Sequence, residues 1–244
     1  MYWTLFYLVV VFFAVGAVAI VRLNKKSTAE QQRARWVKYV FYLITVSITI
    51  LAIRYGYMWL LAMMLLFIGL FEILGVWITS RKRNLQVLLM ALSAYGLIAY
   101  CFYRFSMTVD VKSILFVYMI VFTFDGFAQI SGQLFGKRKI LPIISPEKTV
   151  AGVVGGLIMG LSVGLVGLYM MWLNKPIIPW SWFMPLLICV GAFVGDALAS
   201  WYKRICGIKD YSNMIPGHGG VLDRFDSFLF TGAMLFAGVI YWAI

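Results

Sequence analysis

The sequence predicts an all-α, polytopic integral membrane protein, and three observations support this fold class. The 244 residues are 63% hydrophobic and only 12% charged, and their mean hydropathy is +0.92. Apolar runs of roughly 17 to 25 residues, long enough to cross a hydrocarbon core as helices, recur along the chain. The connections between the runs are too short for a folded soluble domain. We therefore expect about eight transmembrane helices (eight to nine) in one structural unit.

The apolar runs define the predicted spans in chain order. The predicted spans are residues 2–21, 36–53, 56–79, 85–102, 111–130, 150–171, 183–200 and 225–244. The first run lacks the basic segment of a signal peptide, so we expect a retained helix. Cys101, Cys189 and Cys206 show no metal-ligand spacing and are expected to be buried thiols. Because polar residues concentrate in the second half, we assign residues 1–105 to N-terminal transmembrane helices and residues 106–244 to a C-terminal transmembrane region with the functional motifs.

The basic residues indicate which side of the membrane each loop faces. Seventeen of the 21 Lys and Arg residues lie in or beside the loops after the first, third, fifth and seventh spans. The other four are Arg54, Arg104, Lys112 and Lys175. Because basic loops stay in the cytoplasm, this asymmetry predicts that both termini face outward. The net charge of +12 is then mainly a topology signal, with some affinity for anionic lipid headgroups, and nucleic-acid binding has no further support.

Glycines at every fourth position give the sixth span a flat face. They are Gly156, Gly160 and Gly164. Such a stripe lets another helix approach closely, and packing within the chain is the interpretation we favour. The stripe is also one candidate interface for a homodimer.

The segment SPEKT, just before this span, predicts a helix start. Ser145 is the expected N-cap and Pro146 the first helical residue. Lys148 and Thr149 would then lie in the first turn, where free backbone N–H groups and the helix dipole favour an anion.

Acidic residues inside spans are energetically expensive and usually functional. Glu72, Asp125 and Asp196 fall in the cytoplasmic third of their predicted helices. Asp223 and Asp226 lie where the last helix leaves the same surface. We therefore expect carboxylates from four spans at one depth of the membrane.

Spacing also aligns Asp196 with two polar residues. Ser200 and Lys203 follow it at i+4 and i+7, which places all three on one helix face. A purely structural pairing of Asp196 with Lys203 or Arg204 is the alternative interpretation.

Carboxylates beside Lys and Arg at a membrane rim suit phosphate chemistry. Mg²⁺ keeps several waters and prefers one or two protein carboxylates together with substrate phosphates. Lys and Arg neutralise the other phosphate oxygens. Glycines such as Gly219 and Gly220 let backbone N–H groups approach a phosphate closely.

One long motif dominates the second half of the chain. From Ser200 to Asp226 it has the form S-x-x-K-R-x4-K-D, followed by P-G-H-G-G-x-x-D-R-x-D. Together with DGFAQISGQLFGK and ISPEKTVAGVVGG upstream, it resembles the phosphatidate cytidylyltransferase family, also called CDP-diacylglycerol synthase. The resemblance covers about Asp125 to the C-terminus, and the first half matches only as a set of spans.

The resemblance implies that CTP and phosphatidic acid react to give CDP-diacylglycerol and pyrophosphate. The lipid phosphate would attack the α-phosphorus of CTP. A phosphate monoester, with a second pKa of about 6, is already largely dianionic near neutral pH, so no strong general base is required. Catalysis is then mainly positioning and charge neutralisation, with Mg²⁺ as the implied cofactor.

Roles for individual residues follow as expectations. Asp196 and Asp223 are the predicted Mg²⁺ ligands for one or two ions, and a monovalent cation is also compatible. Ser200 would donate to a phosphate or orient Asp196, and Asp210 would orient Lys209. The predicted catalytic residues are Asp196, Asp223, Lys203, Asp226 and Ser200. The predicted substrate contacts are Lys148, Arg204, Lys209, His218, Gly219, Gly220, Arg224 and Asp125. We expect His218 to shape the loop or donate to a phosphate rather than to carry a proton.

Two alternative functions stay open at this point. A CTP-dependent enzyme acting on another lipid, such as an archaeal ether-lipid cytidylyltransferase or a polyprenol kinase, would use related chemistry. An ion-coupled transporter would use Asp125 and Asp196 as ion sites, although no internal repeat is evident in the sequence. For the favoured function we expect a multi-pass protein of the cell inner (cytoplasmic) membrane, with its active site at the cytoplasmic face. Its partners would be CTP, phosphatidic acid and membrane lipids, and a homodimer is compatible with the resemblance.

Overall fold

Long helices make up most of the described chain. The computed structural model describes residues 10, 13–14, 16–18, 20–22, 24–25, 27–80, 83–172, 182–212, 214–215 and 219–243. The helices are α1 (Ala29–Arg54), α2 (Met58–Thr79), α3 (Leu85–Thr108), α4 (Val111–Phe135), α5 (Val150–Trp172), α6 (Met184–Ile205) and α7 (Leu222–Ala243). Two short strands, β1 (Lys139–Leu141) and β2 (Ser145–Thr149), lie between α4 and α5.

The helices confirm the prediction of an all-α, polytopic membrane protein. Helices α1 to α6 are each long and apolar enough to cross a membrane. Helix α7 coincides with the last predicted span, and Asp223, Arg224 and Asp226 lie in its first turns. The first predicted span lies mostly outside the described residues, so the number of spans stays a prediction.

Polar side chains begin several helices where the chain turns back into the bundle. Thr28 caps α1 by accepting from the backbone N–H of Gln31. Asn84 accepts from the first turn of α3, and Asp110 does the same for α4. These oxygens satisfy N–H groups that have no partner within the helix.

The segment SPEKT is a β-strand, and the prediction that Ser145 and Pro146 begin a helix is wrong. Strand β2 pairs antiparallel with β1, so its backbone groups are satisfied across the hairpin. Pro146 has no N–H, and a two-stranded ribbon has edges where that lack is tolerated. The cap of α5 is instead Thr149, whose Oγ1 accepts from the N–H of Gly152 at 3.1 Å.

Helix α4 is the most buried span and packs along α5 and α6. The glycine stripe of α5 faces this interior. A Cβ atom on Gly156 would lie 2.8 Å from the carbonyl oxygen of Phe124, and one on Gly160 would lie 2.7 Å from Cys189 Sγ. The stripe is therefore used for packing within the chain, as favoured from the sequence, and it does not offer a free face to a second copy.

The two predicted regions of the chain pack against each other. Helix α3, from the first region, runs along α7, and the rings of Phe102 and Phe228 meet edge to face at 5.3 Å. Residue 105 lies near the end of α3. The division there stays a prediction. Cys101, Cys189 and Cys206 are all free and buried, which confirms the expectation for the thiols.

Candidate active site

The predicted acids come together at one end of the helix bundle, which we call the loop end. The loop end holds the β1–β2 hairpin and the segment 206–221 between α6 and α7. Asp125 of α4 lies within electrostatic range of Asp196 of α6 and Asp226 of α7, and the side chain of Ser227 is close to it. Asp226 is also within range of Asp196. Three helices therefore supply carboxylates to one place.

The carboxylate of Asp196 is paired with a lysine but stays partly exposed to solvent. Lys148 Nζ, from strand β2, lies 2.9 Å from its Oδ2, and Ser200 donates to its Oδ1 at 3.2 Å. Its side chain keeps 34% of its surface exposed. Lys148 also stands over the Phe193 ring, at 4.6 Å from the centroid. The partner of Asp196 is thus a lysine from the hairpin, rather than Lys203 or Arg204, and about a third of the Asp196 side chain stays accessible.

Asp223 is enclosed by donors. Lys203 Nζ lies 2.5 Å from its Oδ1, and the backbone N–H groups of Tyr211 and Gly220 donate to its Oδ2 at 2.8 Å each. Only 3% of its side chain is exposed. In this arrangement Asp223 organises the segment around it. Its predicted role as a metal ligand stays a prediction.

The glycines of the motif have a clear geometric use. Gly219 has φ +82°, a left-handed conformation, and a Cβ there would lie 2.8 Å from Asp223 Oδ2. Gly220 turns its N–H to that same carboxylate. The glycine-rich segment thus wraps around a protein carboxylate, and phosphate binding by it stays a prediction. His218 lies outside the described residues.

Glu72, one of the in-span acids singled out from the sequence but given no specific role there, takes part in this arrangement. It sits on α2 and is only 5% exposed. Its Oε1 accepts from Ser212 Oγ at 2.7 Å and from the N–H of Val221 at 2.9 Å, and its Oε2 accepts from the N–H of Leu222 at 2.7 Å. The position of an acid within a predicted span indicated that Glu72 is functional, but its hydrogen-bond partners lie far away along the chain.

Two cations hold the hairpin against the segment 206–221. Arg204 donates to the carbonyl oxygens of Ile144 and Ile208 at 3.1 and 3.0 Å. Lys209 pairs with Glu147 at 2.9 Å, while Asp210, predicted to orient Lys209, interacts with it electrostatically. The hydrogen bond between them lowers the pKa of Glu147 and raises the pKa of Lys209. Both side chains of this pair are largely exposed.

Tyr211 is a further residue that the sequence did not single out. Its ring stacks on Tyr202 at 6.2 Å and lies 5.0 Å from Lys203 Nζ. Burial, with Asp226 and Asp223 nearby, raises the pKa of Tyr211 well above its usual range. The phenol therefore stays protonated and packs beside the ion pair rather than acting as a base.

The donor set at the loop end fits a hard divalent cation. Asp125, Asp196 and Asp226 provide carboxylate oxygens, which Mg²⁺ prefers. Across the described part of the chain, no three His, Cys, Asp or Glu side chains lie close enough together to hold a metal by themselves. Mg²⁺ needs no such cage, because it usually takes one or two carboxylates and completes its shell with water and phosphates.

These features define a class of protein: a polytopic membrane protein whose carboxylates and cations gather at one end of its helix bundle. A sequence model described as the cytidylyltransferase family matches residues 1–242. The chain belongs to the cytidylyltransferase family.

Three curated relatives, each named phosphatidate cytidylyltransferase, align with part of the chain. The Staphylococcus haemolyticus protein is 38% identical over 145 residues, which cover 58% of this chain and 54% of the relative. The Staphylococcus saprophyticus protein is 44% identical over 123 residues, covering 50% and 46%. The protein of Staphylococcus aureus strain COL is 34% identical over 172 residues, covering 68% and 64%. The chain thus spans about half to just under two thirds of the length of these relatives.

Proposed function

We propose that this chain is a phosphatidate cytidylyltransferase, which converts CTP and phosphatidic acid to CDP-diacylglycerol and pyrophosphate. Family membership and the names of the relatives support the proposal. The observation that carries it is the pairing of lysines with carboxylates at the loop end. Lys148 with Asp196, and Lys203 with Asp223, set cations suited to phosphate beside carboxylates suited to a metal ion, and Asp226 lies within electrostatic range of both Asp196 and Lys203.

The paired state suggests how substrates enter. Each lysine is neutralised by a carboxylate before any phosphate arrives, so neither charge is left alone in a half-buried site. A phosphate that binds Lys148 would release Asp196 to act as a cation ligand. Arg224, exposed on the first turn of α7, is a further cation for the triphosphate or the lipid phosphate. Arg204 and Lys209 would change partners from backbone oxygens and Glu147.

The chain's own residues then position the reacting groups. The lipid phosphate itself is the nucleophile. The residues therefore need only hold it in line with the α-phosphorus of CTP and neutralise charge. We propose Asp196 and Asp223 as Mg²⁺ ligands, supported by Asp226 and Asp125, for one or two ions. Mg²⁺ would supply charge neutralisation of the triphosphate when bound. Ser200 keeps Asp196 oriented through its hydrogen bond.

We further propose that the loop end faces the cytoplasm and that the protein resides in the cell inner membrane, with both termini outside. The excess of Lys and Arg in the loops at this end supports that orientation. There the site would meet CTP from the cytosol and phosphatidic acid from the inner leaflet. A homodimer stays a prediction, and its interface would have to lie away from the glycine stripe of α5.

Radiolabel transfer tests the proposed reaction. The purified full chain is mixed with phosphatidic acid, Mg²⁺ and CTP labelled at either the α- or the γ-phosphorus. We expect label in the lipid fraction only from α-labelled CTP. Label from γ-labelled CTP would indicate a kinase and contradict the proposal, and so would the absence of both labels.

A pair of acid-to-amide variants tests whether the loop end is the site. Asp196→Asn should lower the rate on the order of 100-fold or more, because it removes a charge that acts directly on the reacting groups. Asp110→Asn is the matched control. Asp110 caps α4 at the opposite end of the bundle, and Asn caps helices as well. Equal rates for both variants would place the site elsewhere.

A further inference from the structure

We propose that Glu72 is a positioning residue that holds the catalytic segment in place from the N-terminal half of the chain. This inference rests on the proposed function for its activity test. No residue of the first 105 belongs to the predicted site, yet Glu72 accepts three hydrogen bonds from the segment between α6 and α7 and from the first residue of α7. It reaches that segment from α2.

The contacts of Glu72 are those of a helix cap supplied from another helix. Val221 and Leu222 stand at the start of α7, where backbone N–H groups have no partner within the helix. Both donate to the Glu72 carboxyl group, and Ser212 adds a hydroxyl from the middle of the segment. Both oxygens of Glu72 act as acceptors. An amide at this position would turn N–H groups towards at least one of these donors.

The position of Asp223 follows from this cap. Asp223 is the residue after Leu222, so fixing the first turn of α7 also fixes the carboxylate that pairs with Lys203. Gly220 lies between the two acids. It donates its N–H to Asp223, while a Cβ on it would lie 2.5 Å from Glu72 Oε1. The carboxyl groups of Asp223 and Glu72 therefore lie close to Gly220 on two sides.

The neighbour of Glu72 secures the other member of the ion pair. Tyr202 donates its hydroxyl to the backbone oxygen of Ile73 at 3.1 Å, and Lys203 is the next residue along α6. Two adjacent residues of α2 thus hold the elements that carry Lys203 and Asp223. Helix α2 sets the geometry of the ion pair although it contributes no group to it.

The first experiment compares Glu72→Gln and Glu72→Ala with Asp110→Asn and Asp110→Ala. Both Glu72 and Asp110 accept hydrogen bonds from backbone N–H groups at the start of a helix, and both are changed in the same way. Glu72 lies at the loop end and Asp110 at the opposite end. We expect kcat to fall about 10- to 100-fold for Glu72→Gln and further for Glu72→Ala, with KM for CTP changing by less than about threefold. Both Asp110 variants should keep kcat within about twofold of the wild type. Glu72 variants with unchanged kcat would overturn the inference.

A second pair of variants tests the contact itself. Gly220→Ala should lower kcat strongly, because the added methyl group meets the Glu72 carboxyl group. Glu72→Asp withdraws that carboxyl group by one methylene. We expect the further loss from Gly220→Ala to be at least about fivefold smaller in the Glu72→Asp background than in the wild type, the mark of direct coupling. Independent, multiplicative losses would contradict the contact.

A third readout needs no activity and separates this inference from the proposed reaction. Cys206 is 6% exposed at the start of the segment, and burial raises the pKa of its thiol, so we expect it to react slowly with a polar maleimide. With Cys101 and Cys189 replaced by Ala, Glu72→Ala should speed labelling of Cys206 at least about tenfold, and Asp110→Ala should not. Faster labelling in a chain without transferase activity would leave the anchoring role standing and reject only the proposed reaction. Unchanged labelling would reject the anchoring role.

Discussion

Removal of Lys203 should destabilise the fold as well as the site, and the two effects can be separated. Lys203 and Asp223 form a nearly buried pair, with 10% and 3% of their side chains exposed. Lys203→Met keeps much of the side-chain volume but leaves the Asp223 carboxylate without its cation. Breaking a buried pair in this way costs about 3–5 kcal/mol.

The structure places this variant at the lower end of that range. Two backbone N–H groups, from Tyr211 and Gly220, still donate to Asp223 and continue to stabilise its charge. We therefore expect a loss of about 3 kcal/mol in the free energy of unfolding. For a chain of this size the loss corresponds to a fall in Tm of roughly 6–12 °C.

A double variant distinguishes the two effects. Lys203→Met combined with Asp223→Asn removes both charges and keeps an oxygen for the N–H donors. Its Tm should recover most of the loss, while the proposed transferase activity should stay absent because a proposed phosphate-binding cation and a proposed metal ligand are both gone. Thermal unfolding in detergent, followed by tryptophan fluorescence, gives the Tm values. If the single variant is as stable as the wild type, or the double variant is as unstable as the single one, the reasoning about the buried pair is wrong.

Three further predictions follow from the hairpin and the glycines. Thr149→Ala removes the cap of α5 and should lower the free energy of unfolding by about 1 kcal/mol, as measured by thermal unfolding. Thr149→Ser should lower it by less than half of that. Equal losses would refute the capping role. The hydrogen bond to Lys209 lowers the pKa of Glu147, so the contribution of this exposed pair is fully present above the usual carboxyl pKa and is lost as the pH falls below it, through the lowered pKa. The small Tm advantage of the wild type over Glu147→Gln should therefore persist at neutral pH and disappear only well below the usual Glu pKa of about 4.3, and an advantage that grows in acid would contradict it. Gly219→Ala should reduce kcat far more than Gly207→Ala, because both glycines have positive φ but only Gly219 has a carboxylate within 3 Å of the added methyl group; similar losses would show that backbone strain alone matters.

The local predictions succeeded where a physical rule acts along the chain itself. Apolar runs of membrane length predict helices, because a helix satisfies its own backbone groups where no water is present. The alternation of spans then places Asp125, Asp196 and Asp226 at the same end, as the structure finds. The link from Ser200 to Asp196 follows from helical spacing in the same way.

The segment from Ser145 to Thr149 shows where such rules stop. Ser-Pro is a good local signal for a helix start, but Lys139–Leu141 lies close enough to pair with the segment as a strand. The hydrogen bonds of the hairpin outweighed the local preference, and the helix start moved to Thr149. Helix propensity describes an isolated segment, whereas this segment pairs with strand β1.

From hydropathy and motif spacing alone, the chain could be recognised as a polytopic membrane protein, and the residue types of its site could be named. Both properties depend on residues that lie close together in the sequence. Only the tertiary structure decided the pairings: Lys148 rather than Lys203 with Asp196, Glu147 rather than Asp210 with Lys209, and Glu72 with the start of α7. Glu72 and Leu222 are 150 positions apart, and many polar groups in the chain could satisfy either one equally well. The packing of α2 against the loop end selects the partner, because only a neighbour in space can satisfy a buried donor.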